Sequence, residues 1–466
     1  MTPLPPKSKI LLLNLPGKRL YVRDYYCSKT SKTNYLFAPC DLLLLSGRLA
    51  ANHEVRLIDC IAERLSDEKC LSRVSELNPR VIVFLAGAVS WNEDSVFLER
   101  LRKLLPETIL IGSGDVFLES GEELLRQNPS VDAGLLDFSS DDLVTYLDGG
   151  AANNMVVREG GSIKVLPVRR GAYEKFALPI PRHELFMNRA YRLPFLNSPF
   201  ATVLTDFGCP FKCSFCVMST LGYRYREVKN ILEELSLIRS LGISNIFFLD
   251  QTFRPKRSDN VELCREMLGR NFRFNWICYS RVDVVDEDVL VRMKDAGCRT
   301  IIFGVESASS RILVNYKKGY TIENVREVFS LCKKLGIRTV GTFIVGLPEE
   351  TEETCRATIE LACELDCDYA SFNFVVPRAG TVLRSQAVAM GLVNADIRVM
   401  DQSGTFIAMP TSHLSTEQLR RLRTEAIVKY YLRPKYLAKR LRSLSSFQEL
   451  RENAYAAISL FRNLLA

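Results

Sequence analysis

Two stretches of this chain alternate short apolar runs with amphipathic helical segments, and that alternation limits its fold more than anything else in it. In the first 148 residues, strand patterns fall at 10–15, 55–59, 81–86, 109–111 and 133–136. Helical patterns at 41–51, 94–105 and 120–127 separate them. Five strands alternating with helices predict a doubly wound parallel sheet of flavodoxin size, an α/β architecture. The alternation resumes near Pro199, with strand patterns at 200–207, 245–249, 274–279, 300–303, 338–344 and 369–374. Helices are expected between them at 230–241, 261–268, 287–296, 324–335 and 353–365, the fourth ended by Gly336 as a C-cap. Six such units amount to three-quarters of a (β/α)8 barrel. The expected divisions are therefore a first sheet domain (1–148), a connector (149–198), a partial barrel (199–410) and a helical tail (411–466). The connector carries a hairpin pattern at 155–158 and 162–165 around Gly160-Gly161. The tail opens on a capping-box-like Ser415–Gln418 pair and holds a basic run, 429–440, that reads as a solvated face packed on its own domain.

The chemistry is concentrated at the end of the sixth strand pattern. Phe207-Gly208-Cys209-Pro210-Phe211-Lys212-Cys213-Ser214-Phe215-Cys216 places three cysteines within eight residues. Thiolates are soft ligands suited to zinc or iron–sulfur clusters. A closed zinc site wants four ligands, and no further Cys or His follows at finger-like spacing. Three cysteines on one short loop can instead hold three irons of a [4Fe–4S] cluster and leave the fourth iron open. Polar residues gather where later strands end: Asp250, Ser280-Arg281, Glu306, and the turn after Val345-Gly346. Barrel enzymes place their chemistry at that edge. Asp and Ser at such junctions also serve as helix caps.

In the first domain the strand ends carry small residues, Ala86-Gly87-Ala88 and Gly112-Ser113-Gly114-Asp115. Glycine there would let a large ligand approach the backbone. No Gly-x-Gly-x-x-Gly follows the first strand, which disfavours a dinucleotide. His53 precedes the second strand, at the wrong edge for a ligand, and reads as a surface residue. His183 in the connector reads as solvated or hydrogen-bonded. Cys363 and Cys367, one helical turn apart, read as packing residues, and Cys278 is placed to reach the barrel cavity. Fourteen cysteines without a secretion signal suit a reducing cytoplasm. A net charge of +8 on 466 residues gives no reason to expect nucleic acid. No apolar run is long enough to span a bilayer.

The triplet, with an aromatic just before its last cysteine, resembles the signature of the radical S-adenosylmethionine (SAM) superfamily. The order sheet domain, partial barrel, helical tail resembles its cobalamin-dependent subgroup, which includes methyltransferases and the anaerobic magnesium-protoporphyrin cyclase. The resemblance implies a [4Fe–4S] cluster on Cys209, Cys213 and Cys216. It implies SAM held by Phe215, Asp250, Ser280, Arg281, Glu306, Val345 and Gly346, and cobalamin held by Asn14, Gly87, Gly112, Ser113 and Gly114. The Asp-x-His-x-x-Gly loop of many cobalamin domains is missing from this sequence, so the lower face of cobalt would lack a histidine. The implied reaction is formation of a 5′-deoxyadenosyl radical and methylation of an unactivated carbon of a small molecule. The implied electron donor is a flavodoxin or ferredoxin. A cyclase or rearrangement would use the same cofactors without methyl transfer. A tRNA methylthiotransferase or a cobalamin sensor is the poorer match, because Cys27, Cys40, Cys60 and Cys70 lack tight spacing and a sensor has no use for the triplet.

Overall fold

The computed structural model describes residues 3–31, 34–196, 198–395, 401 and 406–442. Five parallel strands of the first domain lie in the order Glu54–Asp59, Lys9–Asn14, Val81–Leu85, Ile109–Ser113, Ala133–Leu135. This 2-1-3-4-5 order has its switch point between the Lys9–Asn14 and Val81–Leu85 strands, where doubly wound sheets bind ligands. The middle strands are buried on both faces, with Ile10–Leu13 and Val81–Leu85 wholly apolar, as parallel strands under helices must be. The connector hairpin, Met155–Glu159 and Ser162–Val165, adds two antiparallel strands to the same sheet beside Ala133–Leu135.

The barrel is a six-stranded parallel sheet, Ala201–Val203, Asn245–Phe248, Asn275–Ser280, Cys298–Glu306, Arg338–Val345 and Tyr369–Phe374, in sequence order. The strand expected at 200–207 is broken. Ala201–Val203 pairs within the barrel, whereas Asp206–Gly208 pairs antiparallel with Tyr223–Arg226 in a small separate ribbon. Gly336 caps its helix in the left-handed region, and Ser415 and Gln418 form a capping box. The tail helix Thr416–Tyr431 packs on Glu352–Leu365 and on the last barrel strand. The expected tail beyond residue 442 lies outside the described residues. Among the described residues no helix is long and apolar enough to cross a membrane.

A continuous apolar core joins the two sheets. Leu12, Val83 and Ile111 of the first sheet share a cluster with Phe247 and Ile277 of the barrel. Phe37 sets its ring 5.4 Å from Phe247, and Tyr25 and Tyr26 lie 5.8 and 6.1 Å from Phe207. Arg378, after the last barrel strand, reaches Asp115 at 3.1 Å and Glu119 at 2.9 Å across the interface. Asp115 begins the helix that follows the fourth strand of the first sheet. The carboxyl edges of the two sheets therefore face each other.

Candidate active site

The cysteine loop leaves the Asp206–Gly208 strand through a backbone that only glycine tolerates. Gly208 has φ +78°, and a Cβ there would lie 2.1 Å from the Gly222 carbonyl oxygen. Cys209 N–H donates to Gly222 O at 3.2 Å, Ser214 N–H to Tyr316 O at 3.2 Å, and Cys216 N–H to Cys213 O at 3.1 Å. Burial and the neighbouring thiols push the Cys216 thiol up to about 12, and burial likewise raises Cys209. A bound cation reverses that logic and holds thiols deprotonated. Among the described residues no group of His, Cys, Asp and Glu is arranged around a single ion. A cluster makes another demand, one thiolate to each of three irons, and three soft donors on one short loop fit it. Ser214 Oγ, within the same loop, is buried with no hydrogen-bond partner among the described residues.

Around the loop the structure gathers four of the expected residues. Arg281 donates from Nη1 to Cys213 Sγ at 3.3 Å and lies 3.8 Å over the Phe211 ring. Its Nε and Nη2 are held by Asp283 at 2.9 and 2.7 Å, so the guanidinium is fixed before any ligand arrives. Glu306 sits at the end of its strand with φ +67°, beside a register shift between Gly304 and Glu306. A non-glycine residue in that region is strained, and such strain gathers at functional sites. Its carboxylate meets Lys318 Nζ at 2.9 Å, and Lys318 lies 5.6 Å from the Phe215 ring centre. Lys318 had no signal in the sequence: it is one of two lysines in a turn after a short helix. Gly346 turns the chain at φ +97°, and Glu350 accepts its N–H and that of Leu347 at 2.6 and 3.0 Å. The Val345-Gly346 turn is thus held rigid from behind.

Several expectations take a different form. Asp250 is buried and points at the backbone: it accepts Thr205 N–H at 2.6 Å, Asp206 N–H at 2.9 Å and the Thr205 hydroxyl at 2.9 Å. It positions the break that launches the cysteine loop and does not face a ligand. Burial raises its carboxyl above the usual range. Ser280 is buried with its hydroxyl on the Arg281 carbonyl at 3.5 Å. Cys278 is fully buried in the core under the barrel helices and not in the cavity, because its strand turns Ile277 and Tyr279 inward instead. His183 is hydrogen-bonded, its Nε2 2.7 Å from Glu234. His53 is 8% exposed, not a surface residue, with neither ring nitrogen partnered among the described residues.

The small residues of the first sheet serve packing. A Cβ on Gly112 would lie 2.1 Å from the Phe117 ring, one on Gly87 2.6 Å from Ser28, and one on Gly114 1.9 Å from the Ala86 carbonyl oxygen. The glycines make room for the protein's own atoms rather than for a ligand. Asn14 is shared between Asp59 and Arg23, and the Ser113 hydroxyl donates to Asp41 at 2.7 Å. What covers this edge are residues 21–31 and 34–37, which carry Tyr21, Tyr25, Tyr26, Tyr35 and Phe37. The Tyr26, Thr30 and Ser31 hydroxyls are buried without partners among the described residues. The amide-fringed rim of a corrin is a group that satisfies such orphaned hydroxyls, so these residues, more than the glycines, fit cobalamin.

The comparisons agree with this geometry. The model of the Radical SAM superfamily matches residues 204–362. An uncharacterized methyltransferase of Pyrococcus horikoshii is 32% identical over 415 residues, covering 86% of this chain and 89% of its own. The anaerobic magnesium-protoporphyrin IX monomethyl ester cyclase of Rubrivivax gelatinosus is 25% identical over 77% of this chain and 68% of its own. Among solved structures, the radical SAM methyltransferase TsrM of Kitasatospora setae, with cobalamin and [4Fe–4S] cluster bound, superposes with a TM-score of 0.73. It is 17% identical and covers 97% of this chain and 99% of its own. That likeness extends the shared fold across both sheets.

Proposed function

The chain belongs to the radical SAM superfamily of enzymes, and from that premise we propose that it is a cobalamin-dependent methyltransferase acting on carbon in a small organic molecule. The observation that carries this reading is the facing of two carboxyl edges, one bearing the cysteine loop and the other covered by residues 21–31 and 34–37. When bound, the cluster, SAM and cobalamin supply reductive cleavage of SAM to a 5′-deoxyadenosyl radical and a transferable methyl group.

The chain's own part is binding, orientation and exclusion of water. Cys209, Cys213 and Cys216 would hold the cluster, with Arg281 donating to the Cys213 sulfur. Glu306 and Lys318 present a carboxylate and an ammonium beside the loop, the pair that the ammonium and carboxylate of a methionyl group would meet. Phe215 offers an apolar face next to them, and the Val345-Gly346 turn borders the same space. The apolar core shared by the two sheets would exclude water from the space between the two carboxyl edges.

Anaerobic reconstitution should give about four irons per chain and bind hydroxocobalamin. Changing Cys209, Cys213 or Cys216 to Ala should abolish formation of 5′-deoxyadenosine, whereas Cys363→Ala should leave it intact. With substrate and methyl-deuterated SAM, the product should gain the label, and 5′-deoxyadenosine and S-adenosylhomocysteine should appear in near-equal amounts. An unlabelled product without S-adenosylhomocysteine would assign the cyclase chemistry of the Rubrivivax relative instead.

A further inference from the structure

Between the cysteine loop and the barrel mouth lies a lysine that forms no ion pair among the described residues. Lys29 lies on the short Lys29–Thr30 strand, which pairs with Tyr21–Val22 and reaches over the barrel. The ionisable groups around it include Tyr35, Asp24 and Cys27 from its own segment and Tyr279 from a barrel strand. Cys27 in turn neighbours Cys216 of the triplet. Among the described residues Lys29 makes no ion pair and donates no side-chain hydrogen bond. Of the acids near this strand, Asp24 accepts the Cys27 N–H at 2.6 Å and Asp401 the Thr30 N–H at 3.3 Å. Lys29, Cys27, Tyr35 and Tyr279 keep part of their surface exposed while Tyr25, Tyr26, Ser28, Cys278 and Ser280 beside them in sequence are buried. That contrast marks a cleft.

The cleft continues into the barrel. Along the last three barrel strands every second residue, including Ile302, Val340, Thr342, Ile344, Ser371 and Asn373, stays partly exposed, while those between them are mostly buried under the helices. Alternation of this kind on strands covered by helices on one side means that the inner side is open. Its walls are largely apolar with a few hydroxyl and amide groups, the composition of a small-molecule site.

The geometry points to Lys29 as the anchor for an anionic group, a carboxylate or phosphate, on a ligand whose apolar body occupies the barrel mouth. An ammonium whose N–H donors are not taken up by the protein is open to a ligand, and a bound anion would accept them and fix the ligand's orientation. Burial alone would lower the pKa of Lys29, but its phenol and carboxyl neighbours raise it, so it stays charged at every physiological pH. With the anion held at Lys29, the other end of the ligand lies toward Cys216, where hydrogen abstraction would take place. This inference rests on the proposed function for the identity of the reacting end, and names the class of substrate: a small organic acid or phosphate ester. The phosphodiester of cobalamin is a second source of the same chemistry.

The test uses anaerobically reconstituted, cobalamin-loaded protein titrated by calorimetry with phenyl phosphate, benzoate and, as the neutral control, phenol. Wild type should bind one or both anions roughly tenfold or more tighter than phenol. Lys29→Met should remove that preference and Lys29→Arg should keep it. Hydroxocobalamin titrations of the same proteins separate the sources. Unchanged cobalamin affinity in Lys29→Met, together with lost anion binding, assigns the anion to the substrate. A roughly tenfold loss of cobalamin affinity, with the aromatic anions bound by neither protein, assigns it to the cofactor's phosphodiester. Equal affinities in wild type and Lys29→Met for every ligand, absence of binding included, overturn the assignment. Iron content and far-ultraviolet circular dichroism, which should match wild type in both Lys29 variants, show that the protein is folded. Formation of 5′-deoxyadenosine by wild type and its loss in the cysteine variants report on the proposed function separately.

Discussion

At the scale of single residues, the same residue type takes opposite meanings according to what stands over it. Gly208 is required by its turn, whereas Gly112 is required by an aromatic ring. Phe117 lies across Gly112 and Gly134 and is boxed in by Phe84 and Trp91, each 5.9 Å away. Gly112→Ala should therefore destabilise the fold itself, by about 1–3 kcal/mol as overpacking does, and lower Tm with or without cobalamin. Phe117→Leu, destabilising alone, should restore part of the loss in the double variant. Measured melting temperatures decide this: a Gly112→Ala protein of unchanged Tm that fails only to bind cobalamin would return that glycine to the ligand. The cysteine triplet and Glu306 were legible in the sequence because spacing and strand-end position are local. The partner of Glu306 was not, since Lys318 reaches it only through the strained turn of the backbone at Glu306.

At the scale of elements, periodicity located the parallel strands of both sheets, missed helices such as Asp67–Leu77 and Val382–Ala389, and failed where a side chain interrupts a strand. The apolar run at 200–207 reads as one strand, but the Asp250 carboxylate takes the N–H groups of Thr205 and Asp206 that a continuous strand would have paired. The break turns Asp206–Gly208 into another ribbon and aims the cysteines at the interface. Asp250→Ala should leave those buried donors unpaired, costing about 1–3 kcal/mol. Because the loop's origin is loosened, the variant should also lose iron faster than wild type during anaerobic gel filtration. Asp250→Asn, which keeps an acceptor oxygen, should retain more iron than the alanine variant; identical iron retention in all three proteins would show that Asp250 does not position the loop.

For the whole molecule, buried carboxyls link stability to pH, Asp41 beside the first sheet and Glu350 after the fifth barrel strand among them. Burial pushes Asp41 up from 3.8 to about 7, and Glu350 up from 4.5 to about 7. Between the ordinary and raised values the folded protein keeps protons that the unfolded chain has released. Their contribution is thus fully present below about pH 4 and is lost as pH rises through about 7. Replacing both with the amides, Asp41→Asn and Glu350→Gln, should flatten the fall of Tm between about pH 5 and about 8 relative to wild type; parallel profiles would contradict it. The amino-acid sequence by itself determined the two α/β units and the family, because each rests on spacing within a few dozen residues. Which polar groups face a ligand was decided only by the tertiary structure. Asp115 and Arg378, 263 residues apart, close the interface, and Lys29 comes to lie beside Tyr279 of another domain. A side chain is spoken for or left open according to partners that folding alone brings near, and no local pattern records them.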